Sequence, residues 1–313
     1  MRAALTALLL IVGCGDGTTE LDDGTDEPGV KVVGGDFDDP PEGGLQFVLE
    51  DMEIPPHEER QYCLFGTYKG ETAGIVSQIG LQDAAYGHHM TMLSTLYPTS
   101  DFPDGTLMDC SDKDSLNMIL MEPLFVSGSL ELPPGMGLEL ESGTRYIVQS
   151  HYINTTADTL IATDAINIGL KPESEINTWI ASVAHSTVNF EIPVGESATF
   201  SIDCVWEEEV ELVYLSSHMH QWGEAFSVDY TPVATGATER IYDIEQWLPE
   251  HRDDPPGNDM WDAPMHLVPG DMFTTRCTWF NDTDEVLGFP QEMCAAVGMA
   301  YPLRSPVTCA DIF

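Results

Sequence analysis

Short runs in which apolar and polar residues alternate follow one another along most of the chain. They include LQFVLEDMEI, TRYIVQSHYIN, AINIGLK, VELVYLSS and MFTTRCTWF. Alternation with a period of two is typical of strands that bury one face, and the Gly, Pro, Asn and Asp residues between the runs are typical of turns. No stretch keeps a helical period. The pattern therefore predicts an all-β protein built from antiparallel strands.

The length of the chain predicts two domains, because 313 residues exceed one ordinary domain. The segment GLKPESEINTW at 169–179 is polar and contains a proline, so we place the boundary there. We expect an N-terminal domain over 45–172 and a C-terminal domain over 173–313. Both are predicted to be β-sandwiches.

The N-terminus has the composition of an export signal. Its apolar run, Ala3–Val12, is too short to span a bilayer, which takes about 20 residues. We therefore interpret 1–13 as a signal peptide. The ending IVGC resembles a bacterial lipobox, which predicts lipidation at Cys14; a plain secretory signal is the alternative. The protein is then expected in the bacterial cell envelope, touching the membrane only through this lipid anchor.

The segment that follows, 14–44, is rich in Asp, Glu, Gly and Pro and has almost no apolar periodicity. Such a segment repels itself and buries too little surface to fold, so we predict a flexible tether. The whole chain is also acidic, with 11 Lys and Arg against 53 Asp and Glu and a formal charge of -42. This charge would repel a polyanion, which excludes nucleic acid as a partner.

Six cysteines remain after Cys14: Cys63, Cys110, Cys204, Cys277, Cys294 and Cys309. An even number in an exported protein favours disulfides over free thiols. No C-x-x-C pair indicates a redox motif or a zinc knuckle. Six cysteines allow 15 pairings, and the spacing does not choose among them.

Five of the nine histidines fall into patterns that suit a metal ion. His88 and His89 are adjacent, and they can face one ion only where the strand bends, because neighbouring side chains leave a strand on opposite faces. His151 lies within a strand pattern. His218 and His220 are two residues apart and so share one face of a strand. The neighbourhood of the first group lacks carboxylates at matching spacing, which points to copper or zinc rather than calcium or magnesium.

A thioether ligand would distinguish copper from zinc, since soft sulfur selects Cu(I). Met293, directly before Cys294, is the candidate. The ordered series GHHM, QSHY, HMH and then RC followed by EMC resembles the copper type II, ascorbate-dependent monooxygenases. This is the family of dopamine β-monooxygenase and peptidylglycine α-hydroxylating monooxygenase. The resemblance covers the folded body, about 45–313.

The resemblance implies two tandem eight-stranded antiparallel sandwiches, jelly-roll-like, each with one copper, on either side of a solvent-filled cleft. The electron-storing copper would bind His88, His89 and His151, with the doublet at a strand end or bulge. The copper at which O2 reacts would bind His218, His220 and Met293, which would then be the catalytic residues. Ascorbate or a similar reductant would supply electrons, O2 would be the oxidant, and a C–H bond of a small organic substrate would be hydroxylated.

Further residues take expectations from the same resemblance. Gln149 matches a glutamine near the storage copper and is a candidate hydrogen-bond partner of a ligand. The disulfides would be Cys63–Cys110, Cys277–Cys294 and Cys204–Cys309. The family's peptide-binding Arg, Asn and Tyr are replaced by Ser216, Ala295 and Val297. Without a charged clamp for a carboxylate, the expected substrate is neutral or cationic and partly apolar.

Two other readings stay open at this point. In the first, His218, His220 and Glu224 match half of a cupin metal motif, but Phe273 stands where the other half needs a histidine. In the second, the protein is a copper-binding carrier lipoprotein without catalysis. Its 14 methionines favour such a carrier, although they are scattered rather than clustered.

Overall fold

The structure is a computed structural model that describes residues 29–83, 85–95, 97–111, 123–126, 129–252, 255–289 and 291–311. It is almost entirely β, as the alternating pattern predicted. The predicted signal peptide, Cys14 and the first part of the tether lie outside the described residues. Within the described ranges, no helix is both long and apolar enough to cross a membrane.

The strands up to residue 172 make up what we call the N-terminal half. They are β1 (Val30–Gly34), β2 (Leu45–Ile54), β3 (Glu59–Thr67), β4 (Ala73–Leu81), β5 (Gly87–Ser94), β6 (Leu107–Asp109), β7 (Pro123–Val126), β8 (Ser129–Glu131), β9 (Met136–Leu140), β10 (Arg145–Ile153) and β11 (Thr159–Pro172). A short 3-10 helix, Glu173–Glu175, then leads into the C-terminal half.

The strands of the C-terminal half are β12 (Thr178–Thr187), β13 (Ser197–Val205), β14 (Val210–His218), β15 (Gly223–Thr231), β16 (Glu239–Ile244), β17 (Asn258–Asp259), β18 (Met265–Leu267), β19 (Met272–Phe280), β20 (Cys294–Tyr301) and β21 (Val307–Asp311). A second 3-10 helix, Pro249–Arg252, precedes β17.

Three sheets hold the described strands. A twelve-stranded sheet, the large sheet, has the order β1-β11-β4-β9-β12-β20-β14-β17, with β2, β8, β21 and β18 paired beside this path. A five-stranded sheet, β6-β3-β10-β5-β7, belongs to the N-terminal half, and a four-stranded sheet, β13-β19-β15-β16, belongs to the C-terminal half. The predicted division into two eight-stranded sandwiches stays a prediction.

Each half buries a core between the large sheet and its own smaller sheet. In the N-terminal half, Ile166 of β11 and Met92 of β5 are both fully buried in one cluster. In the C-terminal half, Leu212 of β14 shares a cluster with Trp279 of β19. Burial of apolar side chains contributes about 1.5–3 kcal/mol each, so these two cores are the main source of stability. Both halves are β-sandwiches.

The large sheet runs across the predicted boundary at 172/173. Thr178 of β12 pairs in parallel with Met136 of β9, which joins strands of the two halves. The connection packs closely because Ile176 lies over Gly74 and Gly137, where a Cβ atom would come within 3 Å of the isoleucine side chain. The two halves therefore share a hydrogen-bonded sheet.

The predicted tether ends earlier than residue 44. Val30–Gly34 forms β1 and pairs in parallel with Thr159–Thr163 of β11. Asn167 also donates a hydrogen bond to the carbonyl of Asp38. The segment is acidic as a whole, but it contains the short apolar run VKVVG, and an open strand edge gives such a run a strand to pair with.

The three disulfides pair as the resemblance implied. They are Cys63–Cys110, Cys204–Cys309 and Cys277–Cys294. The second joins β13 to β21, and the third joins β19 to the first residue of β20, directly after Met293. In a chain-entropy model, cross-links of this kind each stabilise the folded state by about 3–5 kcal/mol.

One histidine outside the candidate sites predicts acid sensitivity. His185 is buried beside Trp206 and Phe273, and its burial lowers its pKa from 6.5 to about 4. The unfolded chain takes up this proton near pH 6.5 and the folded chain only near pH 4. Stability is therefore expected to fall by roughly 3 kcal/mol as the pH drops across this window.

Urea unfolding of the metal-free protein between pH 7 and pH 4 measures this loss. His185→Leu is expected to flatten the profile, because leucine takes up no proton. The substitution breaks no hydrogen bond at the buried Nδ1, which has no partner. His57→Asn is the control: His57 is exposed at φ 58°, a conformation that asparagine tolerates. An unchanged profile in His185→Leu would assign the acid sensitivity to other groups.

Candidate metal centres

The first centre is built where β5 lies beside β10. His89 of β5 pairs directly with His151 of β10, and the next pair joins Gly87 to Tyr152, so the register skips His88. This extra residue is a β-bulge, the bend that the adjacent histidines required. One nitrogen from each of His88, His89 and His151 lies within 4.8 Å of the others. The predicted grouping of these residues is confirmed as a cluster that could hold a metal.

A carboxylate fixes the orientation of one of these rings. Nε2 of His151 lies 2.7 Å from Oε1 of Glu59, and its Nδ1 lies 3.4 Å from Nδ1 of His89. The contact with Glu59 places the proton on Nε2, which leaves the Nδ1 lone pair facing the cluster. This hydrogen bond also lowers the pKa of Glu59 below its usual value. Sequence reasoning missed Glu59, which is 92 residues from His151.

The spacing of the nitrogens suits a metal ion. Two nitrogens that bind one ion tetrahedrally, each at about 2.0 Å, lie roughly 3.3 Å apart. The Nδ1 atoms of His89 and His151 are at 3.4 Å. The donor set is all imidazole, which binds copper or zinc well and calcium or magnesium poorly. These residues therefore fit the ion that the sequence predicted.

Gln149 lies on the same face of β10 as His151 but bonds elsewhere. Its amide donates to Oε1 of Gln61 at 3.0 Å and accepts from Thr91 at 3.3 Å. It also lies about 4 Å from both sulfurs of Cys63–Cys110. The predicted hydrogen bond from Gln149 to a ligand histidine is not among these contacts. Gln149 instead ties the disulfide to the strands that carry the histidines.

The second centre lies at the end of β14. His218 is the last residue of the strand and His220 follows it, yet their Nε2 atoms are 3.2 Å apart. Nδ1 of His220 donates to the carbonyl of Gln291 at 2.8 Å, which leaves its Nε2 as the lone-pair nitrogen. The separation again suits two nitrogens on one ion. The predicted convergence of the H-x-H pair is found, although only its first member belongs to a strand.

A buried carboxylate holds the turn that carries His220. Glu292 is fully buried, and its two oxygens accept hydrogen bonds of 2.8 Å from the backbone N–H of His220, the backbone N–H of Trp222 and the indole of Trp279. Desolvation raises the pKa of Glu292. Sequence reasoning missed this residue, although it directly precedes Met293 in the EMC motif. A glutamate beside a candidate ligand was the available signal.

Met293 is placed by its neighbours on both sides. Gln291 and Glu292 bond to His220, and Ala295 pairs with His218 across β20 and β14. Met293 is half-buried and directly precedes β20, two residues before Ala295. The backbone at Met293 therefore runs beside His218 and His220. Binding of a metal by its sulfur stays a prediction.

Ser216, Ala295 and Val297 replace the peptide-binding residues of the enzymes that the sequence resembles, and they lie close together beside the second centre. Ser216 pairs with Val297 in the same register in which His218 pairs with Ala295. Ser216 and Ala295 are buried, and the Ser216 hydroxyl donates to the carbonyl of Pro256. No residue of this set carries a charge.

The cupin interpretation is not supported by the geometry. Glu224, its third ligand, is exposed and accepts a hydrogen bond from Ser197 at 3.0 Å. Phe273 is fully buried in the core of the C-terminal half. Neither residue joins His218 and His220.

Comparisons with known proteins assign no family. No family model and no curated protein matches the chain. Matching solved structures include the STIV MCP, at 8% identity over 83% of this chain and 93% of that chain, with a TM-score of 0.33. A structure of the infectious bursal disease virus Gx strain matches at 10% identity over 83% of this chain and 75% of that chain, with a TM-score of 0.19. Scores this low carry no argument about fold or function.

Proposed function

We propose that this protein is an exported copper-dependent monooxygenase that hydroxylates a C–H bond of a small organic substrate with O2 and ascorbate or a similar reductant. It would be a member of the copper type II, ascorbate-dependent family, on two tandem eight-stranded sandwiches. The observation that carries the proposal is that two separate histidine sets each converge at metal-binding spacing. A carrier needs only one such site.

The two centres are chemically unequal, and this is what the proposed reaction requires. Three imidazoles bind both Cu(I) and Cu(II), whereas two imidazoles and a thioether favour Cu(I). Copper would supply one-electron storage at the first centre and O2 reduction at the second. The chain itself holds Nδ1 of His151 toward the first centre through Glu59, and Nε2 of His220 toward the second through Gln291.

Substrate choice would depend on the surroundings of the second centre. Ser216, Ala295 and Val297 offer no cation for a carboxylate. The chain carries a net charge of -42, which favours the approach of neutral or cationic molecules. We therefore propose a neutral or cationic, partly apolar substrate. The three disulfides are consistent with an oxidising compartment, and lipid anchoring through Cys14 is part of the same proposal.

The test is to load the exported protein with copper, count the bound metal, and follow O2 uptake with ascorbate over a panel of neutral and cationic substrates. We expect two coppers per chain and O2 uptake that depends on substrate and matches product formation. One tightly bound copper without turnover would instead support the carrier lipoprotein. A His218→Ala variant, which keeps the first centre intact, is the control for uptake caused by free copper.

A further inference from the structure

Two side chains of opposite charge contact the three-histidine centre from different halves of the chain. Glu59 of β3 accepts the Nε2 proton of His151 at 2.7 Å. Arg252, the last residue of the second 3-10 helix, places Nη2 3.5 Å from Nε2 of His88. The carboxylate therefore acts on one candidate ligand and the guanidinium acts on another.

Glu59 favours metal binding for two reasons. A proton held on Nε2 by the carboxylate keeps His151 in the tautomer whose Nδ1 lone pair faces the cluster. The negative charge also makes the imidazole a stronger donor and attracts the cation.

Arg252 acts in the other direction. A guanidinium only donates hydrogen bonds, so Nε2 of His88 accepts in this contact and Nδ1 carries the ring proton. In that tautomer His88 offers no free lone pair to a metal. The fixed positive charge also repels a cation at the cluster. Metal binding at His88 therefore competes with this contact.

We propose that Glu59 and Arg252 are positioning residues that set the metal affinity of the three-histidine centre in opposite directions. The inference rests on the metal centre of the proposed function and not on its catalysis. Since Arg252 belongs to the C-terminal half, the affinity of a centre in the N-terminal half depends on the contact between the halves.

The experiment measures metal affinity by chelator competition in a His220→Ala background, which removes the second centre. Zinc is used first because it has no redox chemistry, and Cu(II) second. Glu59→Gln is expected to weaken binding by about 10- to 100-fold, the usual effect of removing a partner of a ligand histidine. Arg252→Met is expected to strengthen binding by roughly tenfold, through loss of the nearby positive charge. Arg252→Lys, which keeps the charge, is expected to stay near the parent.

Matched controls exist for both charges. Glu58 is next to Glu59 in the chain and bonds to Arg60, so Glu58→Gln is expected to leave affinity unchanged. Arg304 bonds to Glu139 and Glu173, so Arg304→Met is expected to do the same. Thermal unfolding without metal verifies that every variant is folded.

Glu59→Gln and Arg252→Met are expected to change the metal affinity in opposite directions. Structural damage would instead weaken metal binding in both variants. If Arg252→Met bound metal like the parent or more weakly, or if Glu59→Gln bound like the parent, the inference would be overturned. Correct affinities without any O2 uptake by the unsubstituted protein would refute the monooxygenase and leave this inference standing.

Discussion

Replacing Met293 by isoleucine is expected to abolish substrate hydroxylation while one copper stays bound at His88, His89 and His151. Isoleucine keeps the bulk of the side chain and removes the sulfur, so the second centre would keep its two imidazoles and lose its preference for Cu(I). Changing only a hydrogen-bond partner of a ligand typically costs 10- to 100-fold in affinity or activity. Losing a ligand is expected to cost more, at least about 100-fold in rate.

O2 uptake and product formation under saturating ascorbate measure this effect. X-ray absorption at copper should lose its sulfur contribution in the same variant. Met299→Ile is the matched control, because Met299 lies on β20, the strand that follows Met293, and pairs with Tyr214, away from the histidines. Hydroxylation by Met293→Ile at the parental rate would show that Met293 is not a copper ligand.

Replacing Glu292 by alanine is expected to destabilise the C-terminal half and to release the second metal. The change leaves three donors without their acceptor: the buried indole of Trp279 and the partly buried N–H groups of His220 and Trp222. An unsatisfied buried donor costs about 1–3 kcal/mol, so the expected loss is about 3 kcal/mol or more. This is a large share of the roughly 5–15 kcal/mol by which folded domains are stable.

Urea unfolding with a chelator present isolates the stability effect from metal binding. Glu292→Gln, which keeps one acceptor oxygen, is expected to fall between alanine and the parent. Glu208 is exposed, so Glu208→Ala should unfold like the parent. A loss below about 1 kcal/mol in Glu292→Ala would mean that water replaces the carboxylate at these donors.

The alternating pattern determined the all-β class and the strand that carries His151. Both depend on side chains a few residues apart, because a strand with one buried face repeats every two residues. The adjacent histidines likewise required a bend in the strand, and the register skip at His88 is that bend. The disulfide pairing did not follow from cysteine spacing. It came from the resemblance and agrees with all three bonds.

Tertiary structure alone decided which residues act on the histidines. Glu59 and Arg252 reach the first centre from positions 92 and 164 residues away from their partners. Glu292 reaches the backbone of His220 across 72 residues. The strand at Val30–Gly34 likewise exists because β11 offers it a partner. Local sequence records which face of a strand a side chain occupies, whereas the packing of distant strands decides what that side chain meets.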